Sequence, residues 1–159
     1  MDTYKEFKLM TPTIQIISAS QSGRNQALAM HLQSDLAAHA QTVVTEVSQA
    51  DAYELAQNDA VIVVSYTYHD GDLPDEMQDF FEDLKDVDLN RTKFAVCGSS
   101  SKTHVHFGRA VDYLTIQLNS SNGEQVADSV KIDRDPDQAD LARVDQLAQQ
   151  VLNRLESGN

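Results

Sequence analysis

Positive charge is scarce in this chain. Twelve lysines and arginines stand against 25 aspartates and glutamates, a formal net charge of -13 over 159 residues. Following a nucleic-acid backbone takes clustered Lys and Arg, so nucleic acid is excluded as a partner, and an anionic membrane surface would repel the chain. Cysteine is almost absent: Cys97 stands alone, no internal disulfide can form, and a reducing cytoplasm fits. No apolar run is long enough to span a bilayer. The opening MDTYKEFKLM carries acids and lacks the apolar core of a signal peptide. Met10 precedes the first apolar run and can serve as the start, so residues 1–12 read as an N-terminal extension without a role, and 13–159 as a single domain. Linkers, repeats and low-complexity tracts are lacking too, and the length suits one domain with a sizeable core.

What is present is alternation. Strands are predicted at 13–18, 42–47, 60–65, 93–98 and 124–132. The runs AVIVVS (60–65) and KFAVCG (93–98) are almost wholly apolar, as strands covered on both faces are. Helices are predicted between them. In 73–86, Met77, Phe80, Phe81 and Leu84 recur at helical spacing, with Pro74 tolerated in the first turn. In 106–119 the stripe is Phe107, Ala110, Val111, Leu114 and Leu118, and in 137–155 it is Leu141, Val144, Ala148, Val151 and Leu155. Five strands alternating with helices imply an α/β fold with a doubly wound parallel sheet. Ligands of such sheets bind beyond the carboxyl ends of the strands.

Three loops converge on that edge. The first, Ser20-Gln21-Ser22-Gly23-Arg24-Asn25, opens a helix after the first buried strand. Unpaired N–H groups at a helix start, hydroxyl and amide donors and a glycine suit a phosphate. Ser and Asn also cap helices without any ligand. The loop lacks both the Gly-x-x-x-x-Gly-Lys and the Gly-x-Gly-x-x-Gly patterns, which points to a phosphate carried by something other than a nucleoside triphosphate or a dinucleotide. The second loop (YTYHDGDL, 66–73) and the third (GSSSKTHVH, 98–106) supply Tyr66, Tyr68, His69, His104 and His106, flat side chains able to stack on a ring. No spacing or acidic partner among these histidines specifies a metal, and none is expected there. Cys97, at the end of an apolar strand, reads as a small core residue.

The three loops resemble those of the flavodoxin family, and the resemblance covers nearly the whole chain. Ser20–Asn25 is similar to the family's phosphate loop, Ser/Thr-x-Thr-Gly-x-Thr. Tyr66-Thr67-Tyr68-His69-Asp70-Gly71-Asp72-Leu73-Pro74 is similar to its second loop, where a Thr precedes an aromatic that lies on the flavin. Phe107 with Ala110-Val111-Asp112 resembles the run after the third loop, and Val130-Lys131-Ile132-Asp133 with Asp135-Pro136 resembles the end of the fifth strand in short-chain members. No insertion of about twenty residues breaks that strand. The resemblance implies a three-layer sandwich around a five-stranded parallel sheet in the order 2-1-3-4-5, non-covalent FMN, and low-potential electron transfer without catalysis. Its cofactor-binding residues would be Ser20, Gln21, Ser22, Gly23, Arg24, Asn25, Tyr66, Thr67, Tyr68, His69, Gly71, Ser99, Ser100, Ser101 and His104.

The sequence also departs from the family pattern. Asn25 stands where Thr is usual, Arg24 brings positive charge to the first loop, Ser101 stands for an Asp, and His104 for the Tyr that stacks on the outer flavin face. Two alternatives stay open: an FMN-dependent reductase or activator domain, and a flavodoxin-like interaction module that has lost FMN, which Asn25 and the altered third loop support. The segment Asp70–Asp88 holds nine acids and one base, Lys85. It can be a solvated helix face and also a docking surface for basic redox partners. A cytoplasmic monomer is expected.

Overall fold

The computed structural model describes residues 11–19, 23–103 and 105–157. Strands β1 (Thr13–Ser18), β2 (Gln41–Glu46), β3 (Ala60–Val64) and β4 (Lys93–Ser100) form the body of a parallel sheet. The fifth position is shared by β5 (Glu124–Gln125) and β6 (Val130–Asp133), which both pair with β4 in parallel. The order is β2-β1-β3-β4-β5, as the resemblance implies. Helices α1 (Gly23–Leu36), α2 (Asp75–Leu84), α3 (Arg109–Ser120) and α4 (Gln138–Glu156) fill the connections, with 3₁₀ turns at Val47–Gln49 and Ala52–Gln57.

The strand period of two sorts the core into two layers. On β3, Ala60, Ile62 and Val64 face α1 and α4, together with Ala95 and Cys97 of β4. Val61 and Val63, with Phe94 and Val96, face α2 and α3. All five residues of β3 are buried, which is why its sequence shows no polar alternation. Cys97 is fully buried in the α1/α4 layer, and burial pushes its thiol pKa up to about 12. It is packing material, not a nucleophile.

Two elements differ from the sequence expectation. The single strand foreseen at 124–132 is broken. Lys93 faces Glu124 and Cys97 faces Val130, so four residue steps on β4 oppose six on the fifth strand. Val126 still donates to the Phe94 carbonyl at 3.0 Å, and the surplus bulges out through Ala127–Ser129. The third helix starts at Arg109 rather than near 106. Gly108 has φ +67, a left-handed conformation that cannot continue a helix, and a Cβ there would meet the Lys131 side chain at 2.5 Å. α4 starts as drawn from sequence: Asp137 and Asp140 form a reciprocal capping box.

At the carboxyl edge β3 and β4 pass with no room for a side chain. A Cβ on Gly98 would lie 1.6 Å from the Ser65 carbonyl oxygen. Gly98→Ala must therefore part the strands where the second and third loops leave them. A loss of about 3 kcal/mol or more is expected in urea unfolding; an unchanged midpoint would show that the two strands can separate freely here.

Candidate functional site

α1, the second loop and the end of β4 meet above the carboxyl ends of β1, β3 and β4. β4 is longer than the expected 93–98, so Ser99 and Ser100 belong to the strand and not to a loop. Its ladder continues past the end of β3: Ser65 donates to the Cys97 carbonyl and Thr67 to that of Ser99, both at 3.1 Å. This extension holds the start of the second loop flat against β4.

Side chains tie the loops to one another. Asn25, in the first turn of α1, is fully buried, and its Oδ1 accepts from Ser99 N–H at 3.3 Å and from Ser99 Oγ at 3.1 Å. Its Nδ2 is equally buried and has no hydrogen-bond partner among the described residues. The Ser18 hydroxyl, at the end of β1, is in the same position. Sequence reading had no signal for the Asn25–Ser99 link, because the partners lie 74 residues apart. Thr67 Oγ1 accepts from Ala110 N–H at 3.1 Å, and Ser100 Oγ accepts from Gly108 N–H at 3.0 Å. Two orphan donors at the start of α3 are thus capped from other segments. Lys102 N–H donates to Asp133 at 3.0 Å, and this bond, with the nearby Arg134, holds the Asp133 carboxyl below the usual range.

The second loop is a tight turn. Tyr68 and Asp72 exchange backbone hydrogen bonds of 2.7 and 2.8 Å. His69 sits at φ +50, a region histidine enters less readily than glycine, and Gly71 at φ +140. Gly71 is buried, and a Cβ there would meet His106 and Arg109 at 2.9 Å, so the turn packs on the start of α3. Tyr68 is 42% exposed, with its ring tilted against that of His69 at 3.8 Å between centroids. Tyr66 differs: it packs onto the core beneath α2 and α3. Burial, then its hydrogen bond to Glu76, pushes its hydroxyl pKa up to about 12. A groove of about 600 Å³ runs beside the turn, floored by Tyr68, Phe81 and Tyr113 and edged by Asp72, Asp75 and Glu82.

The structure thus gathers Gly23, Arg24, Asn25, Tyr66, Thr67, Tyr68, His69, Gly71, Ser99, Ser100 and Ser101 at one edge. Ser20, Gln21, Ser22 and His104 lie outside the described residues. Arg24 reaches Asp135 at 2.9 Å in an exposed ion pair, and such a pair is too weak to withhold it from a second anion. Ser101 Oγ is engaged with Thr103 Oγ1 at 2.7 Å.

Residues 16–144 match the family described as Flavodoxin. The chain belongs to the flavodoxin family. It is 33% identical over 130 residues to "Probable flavodoxin 2" of Bacillus subtilis (strain 168), covering 78% of this chain and 83% of that relative. Its fold superimposes on the flavodoxin of Streptococcus pneumoniae TIGR4 with a TM-score of 0.86 at 33% identity, covering 89% of this chain and 99% of that one. Flavodoxin 2 of Bacillus cereus gives a TM-score of 0.85 at 33% identity, covering 89% and 99%. The chain is a short-chain flavodoxin, an FMN-binding electron-transfer protein rather than an enzyme. The short bulge between β5 and β6 agrees with that class.

The residues present fit the flavin's phosphate. α1 has no acid in its first turn, and no described atom lies within 4 Å of the place a Cβ would take on Gly23. The buried Nδ2 of Asn25 is a donor in want of an acceptor.

The link between the second loop and α3 is testable apart from any flavin. Thr67→Val removes the acceptor and strands Ala110 N–H, so a loss of about 1 kcal/mol is expected in urea unfolding. Thr67→Ser should restore it. Equal stability of all three proteins would mean that Thr67 does not cap α3.

Proposed function

We propose that the FMN phosphate sits at the start of α1, held by Ser20, Ser22 and Asn25, by backbone N–H groups from Gln21 to Asn25, and by Arg24. Tyr68 covers one face of the ring and His104 approaches the other. Tyr66, Thr67, His69, Gly71 and Ser99–Ser101 shape the walls. FMN supplies the electron chemistry, and the chain supplies binding, orientation and electrostatics. The observation that carries this reading is the fully buried Nδ2 of Asn25 at a helix N-terminus, which no described residue partners.

Asn25→Asp keeps an acceptor for Ser99 and replaces the free donor with negative charge. A hydrogen bond to a charged group is worth roughly 1.5–3 kcal/mol, so FMN should bind about one to two decades more weakly, or worse. Riboflavin, which has no phosphate, should bind as it does to the parent protein. Asn25→Thr, with a hydroxyl donor, should keep most of the affinity for FMN. Parallel losses for FMN and riboflavin would remove the phosphate from this position.

Flavodoxins exchange electrons with redox partner proteins. Basic partners docking on Asp70–Asp88, and a monomeric carrier working in the cytoplasm, complete the proposal. Eight of the nine acids in this run are exposed, all except Glu76. The groove beside the second loop adds aromatic floor to acidic rim, a combination suited to Lys or Arg side chains. The chain's own cations already use these rings: Lys85 lies 5.3 Å from the Phe81 centroid and Arg109 lies 5.1 Å from that of Tyr113. Electron transfer to a basic partner should slow as salt rises. Replacing Asp70, Asp72 and Asp75 with Asn, and Glu76 with Gln, should flatten that dependence. Stopped-flow transfer rates with the same salt slope in the fourfold variant would leave the run a solvating surface only.

A further inference from the structure

Away from the flavin edge, α1 and α4 pack side by side on one face of the sheet, and a second constellation lies between them. His31 and Asp35 are one turn apart on α1, and Asp145 reaches them from α4. His31 Nε2 lies 2.6 Å from Asp145 Oδ1 and 3.6 Å from Asp35 Oδ2. One ligand atom from each residue falls within 4.8 Å of the other two.

An ordinary ion pair does not satisfy this cluster. A single Nε2–H can donate to one carboxylate only, and Asp145 takes it. Asp35 Oδ2 is buried and has no hydrogen-bond donor among the described residues, and the Asp35 and Asp145 carboxylates lie within hydrogen-bond reach of each other. Two acids and one imidazole therefore converge with one more acceptor than they have donors. A Lewis-acidic cation would serve all three. Zinc ligands at about 2.0–2.1 Å from the ion stand roughly 3.3 Å apart in a tetrahedron, a spacing between the two distances measured here. Imidazole with carboxylates favours a borderline first-row ion over Ca²⁺ or Mg²⁺. The site is open enough for water to fill the fourth position, since His31 and Asp35 are half-buried and Asp145 is exposed.

We propose that His31, Asp35 and Asp145 form a zinc site that ties α1 to α4. It is independent of the flavin site. Gly23 opens α1 eight residues before His31, about 12 Å along the helix, so the ion is a structural brace and takes no part in electron transfer. The sequence displays the His31/Asp35 pair on one helix face, but Asp145 stands 114 residues from His31 and is brought there only by helix packing.

FMN-loaded protein is titrated with zinc chloride by calorimetry, and its melting is followed with and without the ion. One zinc per chain is expected. His31→Gln and Asp145→Asn should each weaken it at least tenfold, whereas His39→Gln, in the exposed turn after α1, should not change it. Zinc should raise the melting temperature of the parent protein and leave that of the two ligand variants unmoved, because only an ion bound to the native state stabilises it. Should a variant fold poorly, NMR of the parent decides: zinc must shift the His31 ring protons at the first equivalent. Absence of saturable binding, affinity unaltered in both ligand variants, or a first shift at another histidine would each overturn the site.

Discussion

The close passage of β4 against Ser65 is the constraint on which the carboxyl edge depends. With glycine at position 98 and no space for a Cβ, the two strand ends sit as near as backbones can. From that contact the Ser65 and Thr67 N–H groups carry the ladder past the end of β3 onto Cys97 and Ser99. The second loop therefore departs from a hydrogen-bonded frame rather than from a frayed strand. Every later contact inherits that position: Thr67 reaches the start of α3, Gly71 packs on His106 and Arg109, and Tyr68 is carried out to the rim.

A second constraint is polar. A buried amide next to a helix start is unfavourable unless its groups are used. Asn25 uses its oxygen on Ser99 and leaves its nitrogen unpartnered. Oriented by β4, that nitrogen needs no reorganisation to meet an anion. Fixed donors of this kind are what a binding site for a charged group requires, because flexible donors lose entropy on binding. Ser99 fixes which way the Asn25 amide faces.

The layered fold was legible because its signals are local. Continuous apolar runs in β3 and β4 meet the condition for strands covered on both sides, and the stripes of α2 and α4 fall on their buried faces. Tertiary demands decided the rest. Gly108, left-handed at φ +67 and with the Lys131 side chain where its Cβ would be, stops α3 from reaching back to 106, and no periodicity can report that. The bulge after Val126 depends on two extra residues in register, invisible in a strand read alone. At the edge itself, loop membership was readable but orientation was not. Tyr66 and Tyr68 look equivalent in YTY, two residues apart. Tyr66 still follows the strand frame and lies under α2 toward Glu76, whereas Tyr68 has entered the turn closed by Asp72 and lies outside.

Helix α1 joins these themes. Its first turn has no acid and stands at the positive end of the helix dipole. No basic residue offsets the negative end in its last turn. Asp35 lies near that end, where negative charge is least favourable, and a second carboxylate comes to it from α4. In a chain already at -13, this is an unfavourable place to concentrate acid unless a cation compensates it. His31 supplies at most one positive charge, and only when protonated. A divalent ion would supply two without regard to the state of the imidazole proton, and it would oppose the negative end of the helix dipole. With the proposed phosphate and zinc both bound, one helix would hold an anion at its start and a cation towards its finish, both in the sense its dipole favours.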